Sequence, residues 1–295
     1  MVPLLWHFGL ALALVPPWFL DCVVAIGRPV IQVQAGVPNR VWIPVASGFL
    51  YGEFQEKLPD GQKSYKVYIV TNRHVVDGLE AEGASEISIR FNRKEGGAAK
   101  EYDSPFKGPG GQSLWYKHPN PDVDVAVMPI NGNVLRQEGI QFEWFRSDEN
   151  VPNKKELSDF GVTEGDGVFI LGFPMRLVGG ERNYPIVRQG VVARIRDFLG
   201  GNSSEFLIDA FVFPGNSGGP VVLRPESITI EGTKAQGTAR LLGVVRSFET
   251  YQDIAISQQT KRPRIIFEEN SGLATVIPMD YVKEAVQVHL KTIGK

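Results

Sequence analysis

Ser217 stands among three glycines in Gly215-Asn216-Ser217-Gly218-Gly219-Pro220, directly before an apolar run. Glycine is needed where a backbone turns through positive φ or approaches another group closely. A serine on such a turn is exposed, with neighbouring backbone N–H groups able to converge on one point. Nucleophilic acyl transfer requires this combination: an accessible oxygen, and donors aimed at the charge that develops on the attacked carbonyl. The competing reading is a Gly/Ser/Pro turn between strands with no chemistry, since such turns are common.

A hydroxyl is inert near neutral pH unless a base takes its proton. The chain has four histidines, His7, His74, His118 and His289. His74 follows Tyr68-Ile69-Val70-Thr71-Asn72-Arg73, a β-branched run that reads as a strand ending in polar residues. A histidine there sits at the edge of a core, where a carboxylate can fix its tautomer and stabilise the imidazolium. Asp124 opens Asp124-Val125-Ala126-Val127-Met128, where a lone carboxylate is costly unless paired. Asp122 shares its strand parity and competes, but Asp124 abuts the apolar run. The order His, Asp, Ser is one of the known chain orders for a catalytic triad. His118 with Asp122 and Asp124 suggests a metal site only weakly, because His118-Pro119-Asn120-Pro121 reads as a loop and ligands normally sit on fixed elements. Neither a metal nor a cofactor is expected.

The blocks TNRHVV, DVAV and DAFVFPGNSGGPVV resemble the three catalytic blocks of the chymotrypsin-like serine peptidases, most closely the bacterial high-temperature-requirement (HtrA/Deg) branch. Ala46-Ser47-Gly48-Phe49-Leu50 is similar to the second-strand block. Val168 to Pro174, Arg188 to Val192 and Ser271 to Pro278 resemble strands of the second barrel. The resemblance implies an all-β fold: two six-stranded antiparallel Greek-key β-barrels with a short C-terminal helix. It implies a serine endopeptidase with His74, Asp124 and Ser217 as triad and the N–H groups of Gly215 and Ser217 as oxyanion hole. It also puts Phe211 at the base of the primary specificity pocket, with Val245, Arg246, Ser247 and Phe248 on the opposite wall. Without a carboxylate at Phe211, a small or apolar residue before the scissile bond is expected. Arg246, if it points into the pocket, would block it or favour an acidic residue. With the final helix close to Lys295, the PDZ domain usual in HtrA proteins is not expected. No Arg–Ile-Val-Gly-Gly type processing site precedes the first strand. The alternative is a catalytically silent peptide-binding or scaffold protein on the same fold.

Composition agrees without deciding. With 295 residues and 43% hydrophobic content the chain can bury an ample core. A net charge of −2 gives no footprint for nucleic acid, and the expected partner is a protein or peptide substrate. Cys22 is the only cysteine, so no internal disulfide forms; it reads as a core residue. Residues 1–20 are apolar without lysine or arginine, and Pro16-Pro17 interrupts them. They fit a segment packed on the first barrel, a leader or a membrane anchor, the first being favoured.

The elements that must position the site follow from turn and strand patterns. The first barrel spans 21–130, an inter-barrel connection 131–165, the second barrel 166–278 and the final helix 279–295. Strands are expected at Val41 to Tyr51 and Tyr65 to Thr71, with a Pro59-Asp60-Gly61 turn between them. Ile87 to Phe91 alternates as a half-buried strand. Arg93 to Gln112 and Lys261 to Arg264 read as surface loops. Asp280 reads as the cap of a helix, Tyr281 to about Leu290, with Val282, Ala285, Val286 and His289 on one face.

Overall fold

The computed structural model describes residues 15–226 and 230–294. The readings of the N-terminal segment as leader or anchor fall mainly on residues 1–14, outside the described residues. β-Branched and aromatic runs cut by Gly, Pro and Asp turns set the element order. It begins α1 (Pro17–Asp21), β1 (Val23–Gln34), β2 (Val37–Lys57), β3 (Lys63–Thr71), α2 (Arg73–Ala81), β4 (Glu86–Arg93), β5 (Lys100–Pro105), β6 (Tyr116–Lys117) and β7 (Ala126–Pro129). There follow α3 (Gly132–Gln137), β8 (Ile140–Gln141), β9 (Phe145–Arg146) and α4 (Lys154–Phe160). The remainder is β10 (Gly167–Gly172), β11 (Ile186–Arg194), α5 (Arg196–Leu199), β12 (Phe206–Asp209), β13 (Pro220–Leu223), β14 (Arg240–Ile256), β15 (Pro263–Pro278) and α6 (Met279–Ile293).

The all-β double-barrel architecture with a C-terminal helix is borne out. β10-β11-β12-β15-β14-β13 close into a six-stranded barrel. The first unit differs in closure: its strands run β5-β4-β1-β2-β3-β7-β6 as an open, half-barrel sheet, with β8 added on β4 and β9 on β2. The stretch 131–165 therefore does more than connect, since two of its short strands join that sheet. α1 places Phe19 in the core, edge-on to Phe145 at 4.8 Å between ring centroids. No helix among the described residues is long and apolar enough to cross a membrane.

Two local expectations change. Arg93 to Gln112 holds β5, an edge strand that among the described residues pairs only with β4; its polar side chains hide the alternation, and Arg40 bridges Glu101 and Asp103 along it. Ile87 to Phe91 is buried on both faces, Ser88 and Arg90 included. Arg90 is drawn in because its guanidinium donates to the carbonyls of Gly180 and Glu181, on a segment arriving from the other barrel. The same segment exchanges hydrogen bonds between Asn183 and Asn92.

Packing between the two units makes one continuous core. Phe49, Tyr51 and Val70 of the sheet meet Leu171, Phe173, Val244 and Ile277 of the barrel. α6 starts on the barrel and returns to the sheet, burying Val282, Ala285, Val286 and His289 as its 3.6-residue period requires. Asp280 does not cap α6: the N-cap is Pro278, and Asp280 instead accepts from the backbone N–H of Lys154 at the start of α4.

Candidate active site

His74 is not at a strand end, as its sequence suggests, but in the first turn of α2. Thr71 closes β3, Asn72 turns the chain with extended dihedrals, and the helix begins at Arg73. The first N–H groups of a helix lack intrahelical partners. Asp124, buried before β7, supplies one: its Oδ1 accepts from the His74 backbone N–H at 2.8 Å. Its Oδ2 lies 2.6 Å from Nδ1 of the same histidine. The Asn72 side chain completes the join by donating to the Asp124 backbone carbonyl at 3.0 Å. One carboxylate thus fixes both the backbone and the ring of His74. With Nδ1–H donating to Asp124, Nε2 is left as the acceptor.

The turn carrying Ser217 is built from backbone conformations that only glycine takes easily. Gly215 has φ 101° and Gly218 φ 82°. A side chain on Gly218 would run into the Ser47 carbonyl and Thr71. Ser47, fully buried on β2, ties the turn to the opposite sheet: its Oγ donates to the Gly215 carbonyl at 2.6 Å and accepts from the Phe173 N–H at 2.9 Å. Its own N–H donates to the Ser217 carbonyl at 3.0 Å. Asn216, also buried, accepts from the Phe213 N–H. Among the described residues, the N–H groups of Gly215 and Ser217 donate to no protein acceptor. Ser217 Oγ donates to the Arg246 carbonyl across 3.4 Å, a long and therefore weak bond.

His74, Asp124 and Ser217 line one cavity of about 740 Å³, with Val245, Arg246, Ser247 and Phe248 along β14. Phe211 does not line it. The alternation of the chain after β12 buries Ala210 and Val212 and turns Phe211 outward, where its ring is half exposed and stacks on Phe213. Val212, Phe213 and Pro214 form that wall instead. Arg246 neither plugs the cavity nor waits unpaired: its Nη1 pairs with Glu205, and its Nε lies 3.8 Å from Asp124 Oδ2. At the other rim Asp77 is paired with Arg73 and Lys117. Asp122 is exposed, while His118 Nε2 meets Glu284 on α6 at 2.8 Å.

Three supports are not marked in the sequence reading: Ser47, Glu205, and Thr71, whose hydroxyl donates to the Ser47 carbonyl at 3.0 Å. Ser47 had a signal, its place in the Ala46 to Leu50 block. Glu205 had none, because its partner Arg246 lies 41 residues along the chain.

The sequence pattern of the trypsin-like peptidase domain matches residues 46–226, which include all three blocks. Serine protease Do-like HtrB of Bacillus subtilis (strain 168) is 25% identical over 170 residues, 54% of this chain and 28% of that relative, so the match spans well under half of the relative's length. The family match, together with the closed barrel, the half-barrel sheet and the C-terminal helix, shows that the chain belongs to the trypsin-like peptidase domain family.

Proposed function

We propose that the protein is a serine endopeptidase using His74, Asp124 and Ser217. The observation that carries this reading is that an imidazole fixed twice by one buried carboxylate shares a cavity with a serine whose own N–H, like that of Gly215, is free to donate to a developing oxyanion. Ser217 Oγ leaves its long bond to Arg246 and attacks the peptide carbonyl while its proton passes to Nε2 of His74. Asp124 holds the imidazolium, and the oxyanion is received by the N–H groups of Gly215 and Ser217. The C–N bond then breaks, and His74 returns the proton to the leaving amine. Water, activated by the same imidazole, releases the acyl group from Ser217.

The apolar side chains of Val212, Phe213, Pro214, Val245 and Phe248 support acceptance of a small or apolar residue before the scissile bond. The carboxylates at the rim are already matched by Arg73, Lys117 and Arg246, so none is left over for a substrate lysine or arginine. Ser217→Ala tests the assignment: hydrolysis of an unfolded protein such as β-casein should fall by a factor on the order of 10⁴ or more. Undiminished hydrolysis would remove Ser217 as nucleophile. A peptide-library profile dominated by lysine and arginine would overturn the specificity.

A further inference from the structure

Past Val245, β14 runs on to Ile256 with only β15 beside it among the described residues, so its other edge is free. The two strands form an outer hairpin. Its register sets Tyr251 opposite Glu269, Asp253 opposite Phe267 and Ala255 opposite Ile265, which puts these six side chains on one face. Tyr251, Ile265 and Phe267 are each more than half exposed there. A two-stranded hairpin standing in water is only marginally stable, and this one turns an apolar face to solvent. Charge is segregated along its length. Asp253, Glu268 and Glu269 lie toward the base, and Lys261, Arg262 and Arg264 at the tip. No ion pair reaches any of the six among the described residues; Lys261 meets Gln258, and Glu268 meets Gln252. Glu269 and the tip are roughly 20 Å apart at ~3.4 Å per residue, about twice the ~10 Å screening length at 0.1 M salt, so neither end neutralises the other.

We propose that two copies of the chain associate by packing these faces together, antiparallel, each seating its basic tip at the rim of the other's cavity. Turned end for end, the hairpin is its own complement: the basic tip of one copy falls on the acidic base of the other, and the apolar middle falls on itself. An isologous two-fold contact requires that self-complementarity. A uniformly acidic or uniformly basic partner would match one end of the hairpin and be repelled at the other. The place of the arriving tip follows from β14, because Thr250, which lines the cavity, adjoins Tyr251 at the acidic base. The face is roughly 25 Å long and about 10 Å wide, from ~3.4 Å per residue and ~4.8 Å between strands. That falls short of the ~800 Å² per partner of a standard stable interface, so the pair is a weak one, with Kd in the micromolar range. The dimer goes beyond the peptidase reading, and none of it needs cleavage.

The test is sedimentation equilibrium of the full chain and two charge variants. Arg262→Glu with Arg264→Glu makes the tip acidic like the base, and Asp253→Lys with Glu269→Lys makes the base basic like the tip. Each variant alone should associate at least about tenfold more weakly than the unaltered chain, since like charges then face each other across the contact. An equimolar mixture of the two should regain association, because opposite charges meet again at both ends; this recovery also shows that neither variant has merely unfolded. Orientation is read by a mixture of Thr250→Cys and Gln258→Cys proteins treated with a short bis-maleimide. The expected product joins position 250 of one copy to position 258 of the other, and Cys22, being buried, does not compete. A chain that stays unassociated into the millimolar range, association that both charge variants leave unchanged, or a mixture that fails to recover it would overturn the proposal. So would Gln258→Cys joined to itself, tip to tip, in place of the mixed product. Failure of the peptidase reading shows elsewhere, as absent hydrolysis, and leaves these readouts unaffected.

Discussion

On the side of the open sheet, His74 is fixed by Asp124 through both its backbone and its ring, and Asp124 is held in turn by Asn72. On the side of the closed barrel, the Ser217 hydroxyl has only a 3.4 Å contact to the Arg246 carbonyl, and its position is set by the backbone of the glycine turn, which Ser47 holds through the Ser217 and Gly215 carbonyls. The proposed base is positioned by side-chain hydrogen bonds, the proposed nucleophile by turn geometry. That division suits the chemistry: the imidazole must keep one orientation through two proton transfers, whereas the hydroxyl must rotate to attack. It also means that the two halves should fail differently when altered.

The largest difference is expected at the base. Asp124→Asn keeps the shape but offers an amide where a carboxylate stood, so the Nδ1–H tautomer loses its acceptor; kcat should fall by about 10⁴-fold. Steady-state kinetics with thermal melting would show activity collapsing well ahead of stability. On the nucleophile side the damage should be structural. Gly218→Ala forces a Cβ onto a φ of 82° and against the Ser47 carbonyl and Thr71, which should cost about 1–3 kcal/mol through strain alone, with more from the clash. A lowered urea midpoint with parallel loss of activity is the expected result; a normal midpoint would contradict the role given to the turn.

A smaller effect sharpens the comparison. Ser47→Ala leaves the Gly215 carbonyl and Phe173 N–H buried without their partner, at about 1–3 kcal/mol. Because Ser47 holds the turn and not the base, Ser47→Ala should lower kcat while leaving the His74–Asp124 hydrogen bond intact, as the downfield imidazole proton in NMR would report. Loss of that proton signal would mean the two halves are not independently held.

The smallest effect lies away from the cavity, where α6 meets the sheet. Burial, with Lys66 nearby, holds the His289 imidazole below its ordinary range. Burial also pushes the Tyr68 hydroxyl well up, so it stays protonated where it meets His289 Nδ1 at 2.9 Å. The unfolded chain then binds a proton more readily than the folded one. This share of stability is complete above the ordinary histidine pKa of ~6.5 and is lost as pH falls through the lowered value. Urea midpoints from pH 8 to pH 5 should decline, and His289→Gln should flatten part of that slope.

What the sequence disclosed follows the same division. The candidate triad was legible because each member sits in a local pattern: a glycine turn, a β-branched run before His74, an apolar run after Asp124. The buried face of α6 was legible from its period. The helix at His74 was not, since Thr71-Asn72-Arg73-His74-Val75-Val76 reads locally as more strand, and only Asp124, fifty residues on, caps it. Phe211 was misplaced because spacing from the nucleophile does not report which way a side chain alternates. Open or closed first sheet, the Arg246–Glu205 pair and the free edge of β14 all depend on contacts between distant segments, for which no local pattern exists.

The proposed mechanism requires His74 to activate Ser217. Intact-mass spectrometry after exposure to a fluorophosphonate tests it most directly, and separates a peptidase from a silent peptide-binding relative. A single adduct is expected, mapped to Ser217 by peptide digestion, that forms rapidly in the native protein and is abolished by His74→Ala. An unlabelled Ser217 in folded protein, or labelling that persists undiminished without His74, would contradict it.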